Sequence, residues 1–380
     1  MIADKVKRIP PSGIRKYFDM VIGMDDVISL GVGEPDFVTP WSIREACIYA
    51  LEKGYTSYTS NWGLLDLRNE ISRCIASDYE VRYNPENQIL VTTGVSEALD
   101  LAIRAIINQG EEVIIVEPCY VSYKPCVILA GGKPVVVAAD ISNDFRVTPE
   151  QIREKITKKT KAIILSYPNN PTGAVMGKKD LEGIADMVGE HDLLVISDEV
   201  YDKLTYDGTH TCFSSLNGMY DKTILLNGLS KAYAMTGWRI GYAASTSEII
   251  AAMLKIHQYT MLCAPITAQM AAIEALRNGR DEMLAMVKEY NRRRRLIVKG
   301  LNELGLDCFE PKGAFYAFPS IESTGMTSEE FAEGLLKEQK VAVVPGDVFG
   351  SSGKGFVRCS YAVSRREIKE ALEKIGAFLK

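Results

Sequence analysis

Histidine is scarce in this sequence: His191, His210 and His257 are the only three among 380 residues. None lies at the spacing that would put two imidazoles on one helix face, so no metal site is expected. The eight cysteines form no C-x-x-C pair and are scattered from Cys47 to Cys359. That spread predicts free thiols in a reducing, cytoplasmic setting. No apolar run approaches the roughly 20 residues of a membrane span, and the opening stretch MIADKVKRIPPSG has no apolar signal core. Positive charge is not in excess either. Lys and Arg number 44 against 49 Asp and Glu, a formal net charge of −5, which argues against a surface built to neutralise nucleic-acid phosphates. The run Arg292–Arg295 reads as a solvated helix face, because Glu282, Glu289 and Glu303 flank it with opposite charge. Internal repeats and low-complexity linkers are absent.

What is present is ordinary globular material, 47% hydrophobic and 24% charged. At about 150 residues per domain the length predicts two or three domains. Short β-rich runs alternate with helical patterns: Ile89–Thr92, Val113–Val116, Pro134–Val137, Ala162–Ser166, Leu193–Ser197, Thr223–Leu226 and Ile240–Ala243 are candidate strands. Between them fall candidate helices such as Ser96–Ile107, Lys178–Glu190 and Ser247–Gln258. This is the pattern of an α/β protein with a large domain whose mainly parallel sheet is covered by helices on both faces. After about residue 280 it changes. A long charged helix (Arg280–Leu304) precedes Phe315–Phe318, Ser328–Lys337, Val341–Val344, Phe356–Ser360 and Arg365–Phe378, which reads as a smaller α+β domain. The stretch Val27–Leu30 has no helix of its own, so the smaller domain is expected to be built from both chain ends. The expected division is 1–45 (arm and part of the small domain), 46–280 (large domain) and 281–380 (small domain).

Four polar constellations follow candidate strands, where α/β proteins place ligands. Thr93-Gly94-Val95-Ser96 opens a helix with free N–H groups and a hydroxyl, suited to a phosphate or merely to an N-cap. Asn169-Asn170-Pro171-Thr172-Gly173 is either a plain turn or a turn that presents an amide. Asp198-Glu199-Val200-Tyr201 puts a carboxylate directly after apolar residues, which demands a positive partner: a structural Lys or Arg, or a ligand nitrogen. The fourth stretch, SKAYAMTGWRIG (residues 230–241), sets Lys231 among small and apolar residues. Such surroundings disfavour the ammonium form and favour nucleophilic attack on carbonyls. Arg239 adds a fork that matches phosphate.

This set resembles the class I/II aminotransferases, pyridoxal 5′-phosphate (PLP) enzymes of the aspartate aminotransferase fold, fold type I. The resemblance runs from LGVGEPDFVTP near residue 30 to FVRCSYA near residue 360, with PNNPTG, DEVY and SKAYAMTGWRIG in order. It implies that Lys231 carries PLP as a Schiff base and that Asp198 keeps the pyridinium nitrogen protonated. Tyr201 and Asn170 would bond the ring oxygen, and Tyr120 would stack on the ring. Arg239, Ser96, the Val95 amide and Ser230 would hold the phosphate, joined by Tyr58 from a second subunit of a homodimer. Arg358, helped by the Gly33 backbone, would grip the substrate α-carboxylate. The sequence departs from the family at Gly228, where many members carry a hydroxyl, and Ser230 is the candidate replacement. Ser12–Ile14, Trp62 and Tyr259–Pro265 are candidates for lining the pocket.

The implied reaction moves the α-amino group of an L-amino acid (aspartate, aromatic or other) to a 2-oxo acid, expected to be 2-oxoglutarate. Lys231 would then act as general base and acid. Two alternatives stay open: a β-lyase or decarboxylase sharing the same cofactor residues, and a non-catalytic regulator of this fold.

Overall fold

The computed structural model describes residues 1–21, 24 and 26–380. Twelve strands occur among them. In chain order they are β1 (Ile28–Ser29), β2 (Ile89–Thr92), β3 (Glu112–Glu117), β4 (Lys133–Ala138), β5 (Thr160–Ser166) and β6 (Leu194–Asp198). Then come β7 (Thr223–Gly228), β8 (Gly241–Ala244), β9 (Tyr316–Ala317), β10 (Val341–Ala342), β11 (Val344–Pro345) and β12 (Val357–Ser360).

Seven strands form one sheet in the order β2-β8-β7-β6-β5-β3-β4. Only β8 runs against its neighbours; the remaining pairings are parallel. The central strands are apolar through their middle residues because both faces are covered. On β5 and β6, Ile163, Leu165 and Val195 join one buried cluster with the helix Lys178–His191. Their neighbours Ala162, Ile164 and Ile196 join another, with the helices Val95–Ile106 and Ser247–Thr260. Alternate side chains thus serve opposite layers, as the period of a strand requires. Each buried Ile, Leu or Val on these faces contributes roughly 1.5–3 kcal/mol.

The C-terminal part is built on the helices Arg280–Glu303, Ser328–Gln339 and Arg365–Phe378. The last two start with reciprocal capping boxes, Thr327 with Glu330 and Ser364 with Glu367, which fix their first turns. Strands β11-β12-β9 form an antiparallel sheet. The early segment β1 pairs in parallel with β10, Ile28 opposite Val341 and Ser29 opposite Ala342. The hydropathy pattern predicts one strand over Val341–Val344. Instead the chain divides at Val343, with β10 paired to β1 and β11 paired to β12. Periodicity could not reveal this, because both halves are apolar and buried.

Candidate active site

The C-terminal ends of β5, β6 and β7 and the start of the helix Val95–Ile106 converge on a cavity of about 400 Å³. Its lining includes Val95, Ser96, Tyr120, Asn170, Asp198 and Tyr201, together with Ser230, Lys231, Arg239, Gly33 and Arg358. Tyr58 is not among the lining residues; the residue is 82% exposed. Ser12 and Ile14 reach the cavity from the N-terminal segment, whereas Trp62 and Tyr259–Pro265 do not line it.

Lys231 projects from the turn after β7 and donates to the Gly33 carbonyl at 2.7 Å. Burial, with the positive charges of Arg358 and Arg239 behind it, lowers its pKa to about 8. The amine is therefore far easier to deprotonate than an ordinary lysine.

Asp198 ends β6 and is buried. Burial pushes its carboxyl above the usual range, against the pull of the Tyr123 hydroxyl at 2.7 Å and the Val200 amide at 3.3 Å. A protonated ring nitrogen set against it would favour the carboxylate form. Tyr201, one turn on, is buried with its hydroxyl 2.7 Å from that of Tyr316.

The adjacent asparagines divide their work. Asn169 stays in the turn, accepting from the Thr172 amide at 3.1 Å and its hydroxyl at 2.9 Å. Asn170 faces the cavity, and its side-chain oxygen accepts from Arg358 at 2.9 Å. Arg358 also donates to the Gly31 carbonyl at 2.6 Å. Its guanidinium lies 4.5 Å from the Tyr316 ring centre and 4.8 Å from that of Phe349. The residue is 1% exposed, its hydrogen-bond partners are neutral, and its Nε is buried without a partner. A buried cation with only neutral partners is costly to hold, and an anionic substrate group would complement it.

The anion end is shaped by glycine. Gly94 has φ +77°, and a Cβ there would stand 2.5 Å from an Arg239 nitrogen. A Cβ at Gly241 would stand 2.7 Å from the Gly94 carbonyl carbon. Backbone amides at the helix start and the Arg239 fork therefore share one corner that no side chain fills. At Gly228, where many family members carry a hydroxyl residue, a Cβ would meet the Ile240 carbonyl and Val95 at 3.0 Å each. A larger residue at 228 would press on the turn that presents Val95, whereas Ser230 already lines the cavity.

These residues fit PLP in kind: an amine poised for an aldehyde, a buried carboxyl for a ring nitrogen, and a cation with amides for a phosphate. The sequence motifs did not single out Tyr123 or Tyr316, whereas Phe349 ends the Val344–Phe349 loop that the family resemblance assigns to closing over the substrate. For Tyr123 a faint signal existed, its place three residues after Tyr120; Tyr316 depends on strand pairing far along the chain.

The family model for aminotransferase class I and II matches residues 25–375. The chain belongs to this family. Its members are PLP-dependent transaminases, and so this chain is an enzyme of that kind. It is 48% identical to an aspartate aminotransferase of Pyrococcus abyssi, covering 100% of this chain and 98% of that one. It is 44% identical to aromatic-amino-acid aminotransferase 2 of Thermococcus litoralis, with the same coverage. Its fold superposes on the aspartate aminotransferase of Thermus thermophilus with maleate at a TM-score of 0.95 and 37% identity, covering 100% and 99% of the two chains. The expected α/β architecture, a mainly parallel sheet between helices, is the one this family shares.

Proposed function

We propose that this aminotransferase takes the α-amino group from an L-amino acid, with aspartate and aromatic amino acids as leading donors, and passes it to 2-oxoglutarate. The buried Arg358, cationic and held only by neutral groups, is the observation that carries this reading. It favours a substrate that brings its own carboxylate. Lys231 would anchor PLP covalently. Asp198 would face the ring nitrogen, Tyr201 and Asn170 the ring oxygen, and Tyr120 the ring face. Val95, Ser96, Ser230 and Arg239 would hold the phosphate together with Tyr58 of the partner subunit.

When bound, the cofactor supplies an electron sink for the pair released at Cα. The protein does the rest. Arg358 and the Gly33 backbone fix the carboxylate and so set which Cα bond faces the sink. Lys231, with a pKa of about 8, accepts the Cα proton as a neutral amine and returns it as an ammonium. The rings of Tyr316 and Phe349 shield the arginine from water, which strengthens its grip.

A homodimer is supported by apolar side chains left exposed in the segment from Trp41 to Leu65, among them Tyr49, Leu51, Tyr55 and Tyr58, and by Tyr259 and Met261 nearby in the fold. The chain is divided near residues 45 and 280 into an arm, a large domain and a small domain. Eight unpaired cysteines support a reducing cytoplasmic setting.

The test is an amino-acid panel with 2-oxoglutarate as common acceptor. Glutamate should form with at least one donor. Transfer from those donors to other 2-oxo acids, with no glutamate formed from 2-oxoglutarate, would remove 2-oxoglutarate as the acceptor.

A further inference from the structure

Tyr316 sits where three parts of the site meet. It lies on β9, its position opposite Ser360 of β12, two residues beyond Arg358. The residue is 1% exposed. Its ring covers the Arg358 guanidinium at 4.5 Å, and its hydroxyl is 2.7 Å from the Tyr201 hydroxyl. The same hydroxyl is 3.5 Å from the Gly33 carbonyl, which already accepts from Lys231 at 2.7 Å.

Each phenol has one proton, and the pair of oxygens can use only one of the two between them. The Gly33 carbonyl is the poorer acceptor for Tyr316, being farther away and occupied by Lys231. The Tyr201 oxygen is the better one. If Tyr316 donates to Tyr201, the Tyr201 proton is turned away from Tyr316 and left for the cavity. Accepting a hydrogen bond also makes Tyr201 a stronger donor in turn.

We propose that Tyr316 is a positioning residue: its hydroxyl aims the Tyr201 proton at the ring oxygen of the cofactor while its ring braces Arg358. One side chain then ties the group that tunes the cofactor to the group that binds the substrate carboxylate. The proposal rests on the reading above in which Tyr201 faces that ring oxygen. It goes further by assigning the direction of the hydrogen bond and a residue that acts through Tyr201.

The readout is the pH midpoint of the bound cofactor's visible absorbance, which a hydrogen bond to the ring oxygen lowers by favouring the charged oxygen. Tyr316→Phe keeps the ring and removes the hydroxyl. The midpoint should rise by about 0.5–1 pH unit, the order expected for one weakened hydrogen bond to a charged oxygen. The KM for the amino acid should stay within about twofold while kcat falls several-fold, because the brace on Arg358 remains. In a Tyr201→Phe background the same substitution should leave the midpoint where Tyr201→Phe alone puts it. Should Tyr316→Phe not fold, 3-fluorotyrosine at 316, similar in size and a stronger donor, should lower the midpoint. An unchanged or lowered midpoint in Tyr316→Phe, or additive shifts in the double variant, overturns the proposal. Failure of the unsubstituted protein to take up PLP, or retention of the absorbance by Lys231→Ala, would instead overturn the reading of the site itself.

Discussion

The Lys231 amine and the Gly33 carbonyl meet at 2.7 Å, across 198 residues of sequence. That contact holds the nucleophile at the mouth of the turn after β7 while burial and two arginines keep its pKa near 8. Cofactor-free protein should therefore take up PLP with a rate that climbs with pH and levels off above about 8, since only the neutral amine attacks. Stopped-flow absorbance across pH would show this. A climb continuing to the ordinary lysine value of 10.5 would mean that the fold does not tune this amine.

Arg358→Lys retains the charge and loses the fork that spans Asn170 and Gly31. kcat/KM for α-amino acids should drop at least tenfold, about 1.5–3 kcal/mol of lost charge-assisted hydrogen bonding. Amines without a carboxylate should be affected much less. Steady-state kinetics on a matched acid and amine pair would settle the comparison, and equal losses on both would remove Arg358 from carboxylate binding.

Gly94→Ala combines two faults, a φ of +77° and a Cβ 2.5 Å from an Arg239 nitrogen. The backbone strain alone costs about 1–3 kcal/mol, and Arg239 must retreat from the corner it shares with the Val95 amide. PLP should dissociate about tenfold more readily, as measured by equilibrium dialysis, with a modest fall in Tm. Unaltered retention would show that this corner is not where the phosphate sits.

Away from the cavity, Glu199 is buried beside Asp198 and accepts from the Ser197 hydroxyl and the Phe213 amide, both at 2.9 Å, and pairs with His210 at 2.7 Å. Burial lowers the His210 pKa, but the Glu199 charge outweighs it and the net shift is upward from 6.5. A pKa raised by folding means that the charged pair contributes its stability below the unfolded value and loses it as pH climbs through the folded one. His210→Gln should thus lower Tm most near pH 5.5, by an amount equivalent to about 1–3 kcal/mol, and progressively less toward pH 9. Melting curves over that range would reveal a constant or inverted gap if the histidine were neutral in the fold.

Much of this was legible in the sequence, and the legible parts share a cause. Strands such as Ile163–Leu165 are apolar without interruption because two helical layers cover them, so their boundaries read within a residue or two. The cavity motifs read well because each follows its own strand directly: Asp198 closes β6 and Lys231 follows β7. What escaped depends on partners distant in sequence. Tyr316 acquires its meaning from Tyr201, 115 residues earlier. The division at Val343 escaped for a similar reason, since it is set by which neighbours pair and leaves the hydropathy pattern untouched.

The carbonyls of Gly31 and Gly33 hold Arg358 and Lys231 respectively, so a stretch of three residues near the amino end gauges the separation of the two cations. Adding or deleting a residue there would swing one carbonyl to the opposite side of the main chain and uncouple the pair. A short connecting segment would ordinarily absorb such a change without harm; this one carries the hydrogen-bond partners of two buried basic side chains.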